Sequence, residues 1–164
     1  MKKKIVFETL KRFKGLRFRQ QIIYKNSFYT IINDSKSTNS ASLMYAINKL
    51  NFRGDLIICG NPSKENYKEL YIKGPRRVFI YGKHRNELLH ILKHENILTC
   101  VNLDEIFNIL KKMSGKSHFL ISSVCISKKG NMIWNHTDKA ELFMKNLKAL
   151  LVIYCTKLKN ALII

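Results

Sequence analysis

Proline, glycine and paired cysteines are scarce in this chain of 164 residues. It has two prolines and seven glycines, which excludes collagen-like repeats and makes a long disordered chain a poor description. The four cysteines form no CxxC pair, so no disulfide framework is indicated (Cys59, Cys100, Cys125 and Cys155). No apolar run reaches the ~18 residues that a membrane span needs, and no apolar segment of a secretory signal follows the opening MKKK. We therefore expect a reduced, cytoplasmic protein with no membrane partner.

Acidic residues are also few. The chain has 11 Asp and Glu against 30 Lys and Arg, a net charge of +19, which is typical of proteins that bind nucleic acid. Basic clusters at 2–4, 11–19 and 76–85 support a basic α/β nucleic-acid-binding protein. The alternative is a genome rich in A and T, since Lys, Asn and Ile are abundant together. The basic residues are spread along the whole chain and no RNA-binding signature is present, so nucleic acid is not the expected partner.

Apolar runs alternate with helical patterns along the chain. Residues 22–24 and 28–32 predict two strands joined by a tight turn, and 55–60, 77–82, 97–101 and 117–126 predict further strands. Helical spacing predicts helices at 43–50, 67–71, 86–95, 103–113 and 138–151. Continuous apolar strands between helices indicate an α/β fold, a Rossmann-like, mostly parallel sheet with helices on both faces. In such sheets, ligands bind beyond the carboxyl ends of the strands.

Three local motifs carry little weight. Gly115-Lys116-Ser117 resembles the end of a phosphate-binding loop, but the first glycine of that motif is missing and a strand follows instead of preceding it. His90 and His94 are spaced to share a face of the predicted helix 86–95, yet no third ligand is indicated and no metal site is expected. Cys125 lies among apolar residues, where packing is the expected role for a thiol.

The informative segment is Asn-Asp-Ser-Lys-Ser-Thr-Asn at 33–39, called the heptad below. It stands between a predicted strand and a predicted helix, where Thr38, Asn39 or Ser40 would cap the helix. The N–H groups and dipole at a helix N-terminus favour anions, and Lys36 adds a positive charge for phosphate or carboxylate. The alternative is a polar loop that only caps its helix.

The heptad resembles the signature that opens the C-terminal domain of the Mur ligases, in particular the D-glutamate-adding members, where the fifth residue is typically Ala. Four weaker matches follow in the family's order. Residues 13–19 are similar to F-x-G-L-x-H-R, and 57–64 to a strand-Gly-Gly…Lys segment. Residues 119–127 resemble L-L-S-P-A-C-A-S, and 135–143 resemble N-F-x-x-R-G-x-x-F. The resemblance covers about residues 12–150. It implies a boundary segment at 1–18, the Mur ligase C-terminal domain at 19–150 and an unassigned helical tail at 151–164.

The resemblance also implies an activity, that of an ATP-dependent amide-bond ligase of bacterial peptidoglycan synthesis. Such a ligase adds D-glutamate to UDP-N-acetylmuramoyl-L-alanine after ATP has activated the carboxylate. Lys36 and Thr38 would then be catalytic and would bind D-glutamate. The other residues implied for D-glutamate are Lys64, Ser127 and His136, and those implied for ATP are Arg19, Asp34 and Asn39.

The resemblance covers only part of what the family's chemistry needs. The family's phosphate loop, magnesium ligands and UDP site lie in other domains, and their motifs are absent from these residues. Mg²⁺ is therefore expected only through such a domain, with no metal ligand in this chain. Ser123, His136, Lys139 and Ala140 depart from the family pattern. A separate chain that supplies the N-terminal and central domains and an inactive gene remnant are both open alternatives.

Overall fold

The computed structural model describes residues 2–13, 15–26, 29–65, 68–112 and 117–123. In chain order, its elements are α1 (Lys2–Arg12), β1 (Gln21–Lys25), β2 (Tyr29–Asp34), α2 (Ser40–Lys49), β3 (Asp55–Cys59), a 3-10 helix (Pro62–Lys64), β4 (Leu70–Tyr71), β5 (Arg77–Tyr81), α3 (Arg85–Ile91), β6 (Leu92–Lys93), β7 (Ile97–Cys100), α4 (Leu103–Lys111) and β8 (Ser117–Ser123).

Six of the strands form one sheet in the order β1-β2-β8-β3-β5-β7. Only β1 runs antiparallel to its neighbour, β2, and the other four pairings are parallel. The last described strand, β8, returns to the middle of the sheet between β2 and β3. The mostly parallel sheet predicted from the sequence is therefore confirmed.

Helices cover both faces of this sheet. Because successive side chains of a strand point to opposite faces, Ile57 and Phe79 pack with Ile106 of α4, whereas their chain neighbours Leu56 and Ile80 pack on the other face. Leu43 and Ile47 of α2 and Leu88 of α3 lie in that second cluster. All five residues of β3 are buried, as its continuous apolar run predicts for a strand covered on both faces.

Two helix predictions need correction. The predicted helix 86–95 ends at Ile91, because β6 pairs in parallel with β4 in a separate two-stranded sheet. The predicted helix 67–71 is wrong for the same reason, since Leu70–Tyr71 is the strand in that pairing. His90 and His94 therefore do not share a helix, and the His94 ring contacts the Pro75 carbonyl oxygen at 3.0 Å instead.

The termini of the chain add one element and leave others undescribed. The sequence patterns did not predict α1. The predicted helix at 138–151 and the tail at 151–164 lie outside the described residues. Within the described part of the chain, no helix is both long enough and apolar enough to cross a membrane.

Candidate functional site

The heptad lies at the carboxyl edge of the sheet. Asp34 ends β2 beside Ser122 of β8, and the next residue of β8, Ser123, pairs with Cys59 at the end of β3. The three strands thus end side by side, and the heptad leads from β2 directly into α2. This is the edge at which ligands bind in parallel α/β sheets, and the sequence prediction placed the site there.

Asp34 joins the heptad to the segment before β1. Its side chain is buried, with 1% exposure. One carboxylate oxygen accepts a hydrogen bond from the Gln20 backbone N–H at 2.9 Å, and the other accepts one from the Ser37 hydroxyl. The Lys36 backbone N–H also donates to the Phe18 carbonyl oxygen at 3.0 Å. Asp34 therefore clamps two segments that are 14 residues apart in the chain.

The clamped segment holds Arg19 in an unusual turn. Phe18 and Gln20, which flank Arg19, have φ angles of 64° and 45°, in the left-handed region that residues with a Cβ adopt only at some energetic cost. The Phe18 N–H donates to the Gln21 side chain at 3.0 Å, and the Gln20 N–H donates to Asp34. These bonds offset the strain and present the exposed Arg19 side chain beside the heptad.

Burial changes the acidity of Asp34. Loss of water around the carboxylate raises its pKa above the ordinary value of 3.8. The Ser37 and Gln20 hydrogen bonds and the charge of Arg19 act in the opposite direction and only partly offset this. The chain therefore keeps this carboxyl group in an environment that disfavours its charge, with the Arg19 charge nearby.

Asn39 caps α2, as one of the three sequence alternatives predicted. Its side-chain oxygen accepts from the Ser42 N–H at 2.8 Å. A second side chain also reaches the helix start, because the Glu65 carboxylate accepts from the Ser40 N–H at 3.1 Å. No sequence pattern indicated this contact, because 25 residues separate the two groups. The expectation that these N–H groups are free for an anion is therefore wrong for Ser40 and Ser42.

The Ser40–Glu65 contact brings the segment after β3 to the heptad. Lys64 ends the 3-10 helix that follows β3, one residue before Glu65, so its backbone lies at the same edge of the sheet. Lys36 is exposed and Thr38 half-buried at this edge. Five of the predicted site residues, together with the Lys64 backbone, are thus gathered there (Arg19, Asp34, Lys36, Thr38 and Asn39). Ser127 and His136 lie outside the described residues.

The end of β2 also holds two buried polar groups that nothing in the described part of the chain satisfies, the Asn33 amide nitrogen and the Ser35 hydroxyl. Their residues are 1% and 2% exposed. Unsatisfied buried donors are rare in folded proteins and are frequent at sites that receive a ligand or an ordered water. The Asn33 amide and the Ser35 hydroxyl are therefore hydrogen-bonding groups of the site in addition to its two cations, Arg19 and Lys36.

The cations and donors suit the phosphates of ATP or a carboxylate, but the described residues do not suit Mg²⁺. Magnesium takes oxygen ligands, chiefly carboxylates. Nowhere in the described ranges do three His, Cys, Asp or Glu side chains come together, and both oxygens of Asp34 are already engaged.

Together, the mostly parallel sheet, the capped helix after β2 and the cation-bearing loop at their junction agree with the resemblance to the Mur ligases. Solved structures show the same fold. The crystal structure of MurF ligase from Thermotoga maritima in complex with ADP matches 88% of this chain and 36% of its own, with a TM-score of 0.50 and 16% identity.

Sequences similar to this chain include D-glutamate-adding Mur ligases. The UDP-N-acetylmuramoylalanine–D-glutamate ligase of Buchnera aphidicola subsp. Schizaphis graminum is 31% identical over 147 residues, which are 87% of this chain and 33% of that protein. The ligase of the same name from subsp. Baizongia pistaciae is 39% identical over 98 residues, 57% of this chain and 22% of its own. The chain is a homologue of the Mur ligases, as its motifs predicted, and these relatives are D-glutamate ligases.

Three further findings describe the extent of the similarity. The chain spans about a third or less of the length of the curated relatives it matches. A stretch of 44 residues, 27% of the chain, is also 66% identical to part of a nucleoside triphosphate pyrophosphatase from Pelagibacter ubique and covers 23% of that protein. No protein-family model matches the chain.

Proposed function

We propose that this chain is the part of a D-glutamate-adding Mur ligase that contacts D-glutamate and ATP in bacterial peptidoglycan synthesis. The observation that carries the proposal is the clamped pair of loops at the carboxyl edge. There, the buried Asp34 holds the Arg19 turn against the heptad that contains Lys36. The two cations of separate segments at this edge support the proposal, because ATP and D-glutamate are both anionic.

The roles follow from charge and exposure. Arg19 and Lys36 are exposed cations that bind the phosphates of ATP and the carboxylates of D-glutamate, with the Thr38 hydroxyl as an additional donor. Lys64, Ser127 and His136 complete the D-glutamate site, and Asn39 holds the helix start that faces it. Asp34 contributes to the ATP side through Arg19, because both of its oxygens are already bonded within the chain.

The chemistry needs groups that these residues do not contain. ATP supplies the phosphoryl group that activates the carboxylate of UDP-N-acetylmuramoyl-L-alanine. The residues of this chain hold the glutamate amine close to that carboxylate and neutralise the charge that develops as the amide bond forms. The phosphate loop, the Mg²⁺ ligands and the UDP site come from polypeptide outside these residues, in the same chain or a separate one.

A reconstitution experiment tests this proposal. The chain is mixed with the first two thirds of a D-glutamate ligase, ATP, Mg²⁺, D-glutamate and UDP-N-acetylmuramoyl-L-alanine, and phosphate release is measured. We expect release that depends on this chain and is lost with Lys36→Ala, whereas Lys49→Ala, an exposed lysine at the far end of α2, releases phosphate as wild type does. Absence of release would favour an inactive remnant, and equal release by wild type and Lys36→Ala would contradict the role proposed for Lys36.

A further inference from the structure

A cavity of about 350 Å³ lies at the other edge of the sheet, where β3, β5 and β8 begin. Its apolar floor comes from Ile32, Leu50 and Phe52, and its rim from Arg53, Arg76 and His118. Asp34, which marks the proposed ligase site, ends β2 at the opposite edge, and no residue of that site lines this cavity. The cavity is within the size range of small-molecule pockets, which also combine an apolar lining with a few polar groups.

The backbone fixes the walls of this cavity. After α2, Asn51 takes the left-handed conformation, with φ 43°, and the Phe52 N–H donates to the Ile47 carbonyl oxygen at 2.9 Å, which closes the helix in a Schellman turn. The Arg76 N–H donates to the Gly54 carbonyl oxygen at 2.8 Å. At Gly54 a Cβ would lie 2.1 Å from the His118 carbonyl oxygen, so this close approach of β3 and β8 requires glycine. The rim residues are therefore held in place before any ligand arrives.

The rim carries an excess of positive charge. Among the residues that the structure describes, no acidic side chain lines the cavity. The buried Asp55 carboxylate behind it binds two guanidinium groups, with Nη2–O distances of 3.0 Å to Arg76 and 2.8 Å to Arg77. Arg53 has no ion-pair partner in the part of the chain that the structure describes. Asp55 thus pairs with Arg76 and Arg77, and Arg53 adds a further positive charge beside the apolar floor.

We infer that this cavity is a second ligand site that binds a small organic phosphate, with the phosphate on Arg53 and Arg76 and an apolar body over Phe52 and Leu50. Guanidinium groups match the geometry of phosphate oxygens, and His118 offers an additional ring N–H. Inorganic phosphate would use only the rim, whereas an uncharged aromatic would use only the floor. The inference is independent of the proposed ligase role, because neither its residues nor its edge of the sheet is shared with that site.

Titration of the full chain with phenyl phosphate, followed by amide chemical shifts, tests the inference. We expect saturable shifts at Asn51, Gly54 and Arg76, and binding about tenfold tighter than that of inorganic phosphate or phenol. Arg53→Gln should weaken phenyl phosphate binding by about tenfold. Lys73→Gln removes the same charge from an exposed neighbour that does not line the cavity and should leave binding within about twofold, since a screened surface charge contributes little.

Three results would overturn the inference. One is equal weakening by Arg53→Gln and Lys73→Gln, which would indicate general attraction to a basic surface. Another is shifts confined to the heptad, which would assign phosphate binding to the proposed ligase site alone. The third is tighter binding of single-stranded RNA that both variants weaken alike, which would favour a nucleic-acid surface. Shift mapping on the wild-type chain decides between cavity and heptad even without the variants.

Discussion

Replacing Asp34 by alanine would remove the clamp between the heptad and the Arg19 turn. The carboxylate accepts hydrogen bonds from the Gln20 N–H and the Ser37 hydroxyl inside the protein, at 1% exposure. Alanine leaves both donors without these partners. It also removes the hydrogen bond from the Gln20 N–H, which offsets the strain of the positive φ angles at Phe18 and Gln20. Asn at the same position keeps an acceptor for Gln20 and carries no charge.

The magnitude follows from opposing contributions. Each hydrogen bond to a charged acceptor stabilises a protein by about 1.5–3 kcal/mol, and burial of the carboxylate works against part of that gain. We therefore expect Asp34→Ala to lower the free energy of unfolding by about 2–4 kcal/mol. Asp34→Asn should cost about 1 kcal/mol or less, because it retains one acceptor and relieves the buried charge.

Urea unfolding followed by circular dichroism measures these differences, and amide hydrogen exchange locates them. Asp34→Ala should speed exchange at Gln20 and Lys36, whose N–H groups bond within the clamp, far more than in α4. The reasoning is refuted if Asp34→Ala is as stable as wild type, or if exchange at Gln20 and Lys36 stays unchanged while the protein as a whole is destabilised.

The same residue predicts a pH dependence. The folded-state pKa of Asp34 is raised above 3.8, so the folded state holds this proton more tightly than the unfolded state does. Its contribution to stability is therefore greatest below 3.8 and declines as pH rises to the raised pKa. The stability of wild type minus that of Asp34→Asn should fall across this window, and a difference that rises with pH would show that burial is not the dominant influence on this carboxyl.

Three further predictions concern other residues. Gly54→Ala should destabilise the fold by at least about 2 kcal/mol in urea unfolding, because its Cβ would overlap the His118 carbonyl oxygen, and a wild-type midpoint would contradict the close approach of β3 and β8. Asp55→Asn should cost about 3 kcal/mol, since it leaves Arg76 and Arg77 beside a buried neutral group, whereas Arg76→Gln, at a half-exposed partner, should cost about 1 kcal/mol or less. Glu65→Gln should raise the affinity for pyrophosphate about two- to fivefold in calorimetric titration, because it removes a competing negative charge from the start of α2, and unchanged affinity would show that Glu65 does not compete there.

Long-range pairing accounts for most of what the sequence patterns missed. The continuous apolar run at 55–59 predicted a fully buried strand, because a strand covered on both faces has apolar residues at successive positions. All five residues of this strand are buried. The helix predicted at 86–95 overran, because the pairing of Leu92–Lys93 with Leu70–Tyr71 depends on two residues from a distant segment. No local periodicity reports such a contact.

At the site, too, local features of the heptad were predictable from the sequence, whereas its long-range contacts were not. Its position between strand and helix, and the cap by Asn39, follow from local residue types. The clamp from Asp34 to Gln20 and the Glu65 contact with Ser40 depend on how the sheet brings separate segments together. A sequence pattern can therefore locate the loop that carries the site, whereas the strained turn that presents Arg19 is seen only in the structure.

The most direct test of the central claim is a chimera in which this chain replaces the last third of a related D-glutamate ligase. The measurement is phosphate release with ATP and UDP-N-acetylmuramoyl-L-alanine, compared with D-glutamate and with L-glutamate. We expect release that requires D-glutamate and falls by about 100-fold or more with Lys36→Ala. Release no greater than that of the truncated ligase alone, or release indifferent to which glutamate is supplied, would contradict it.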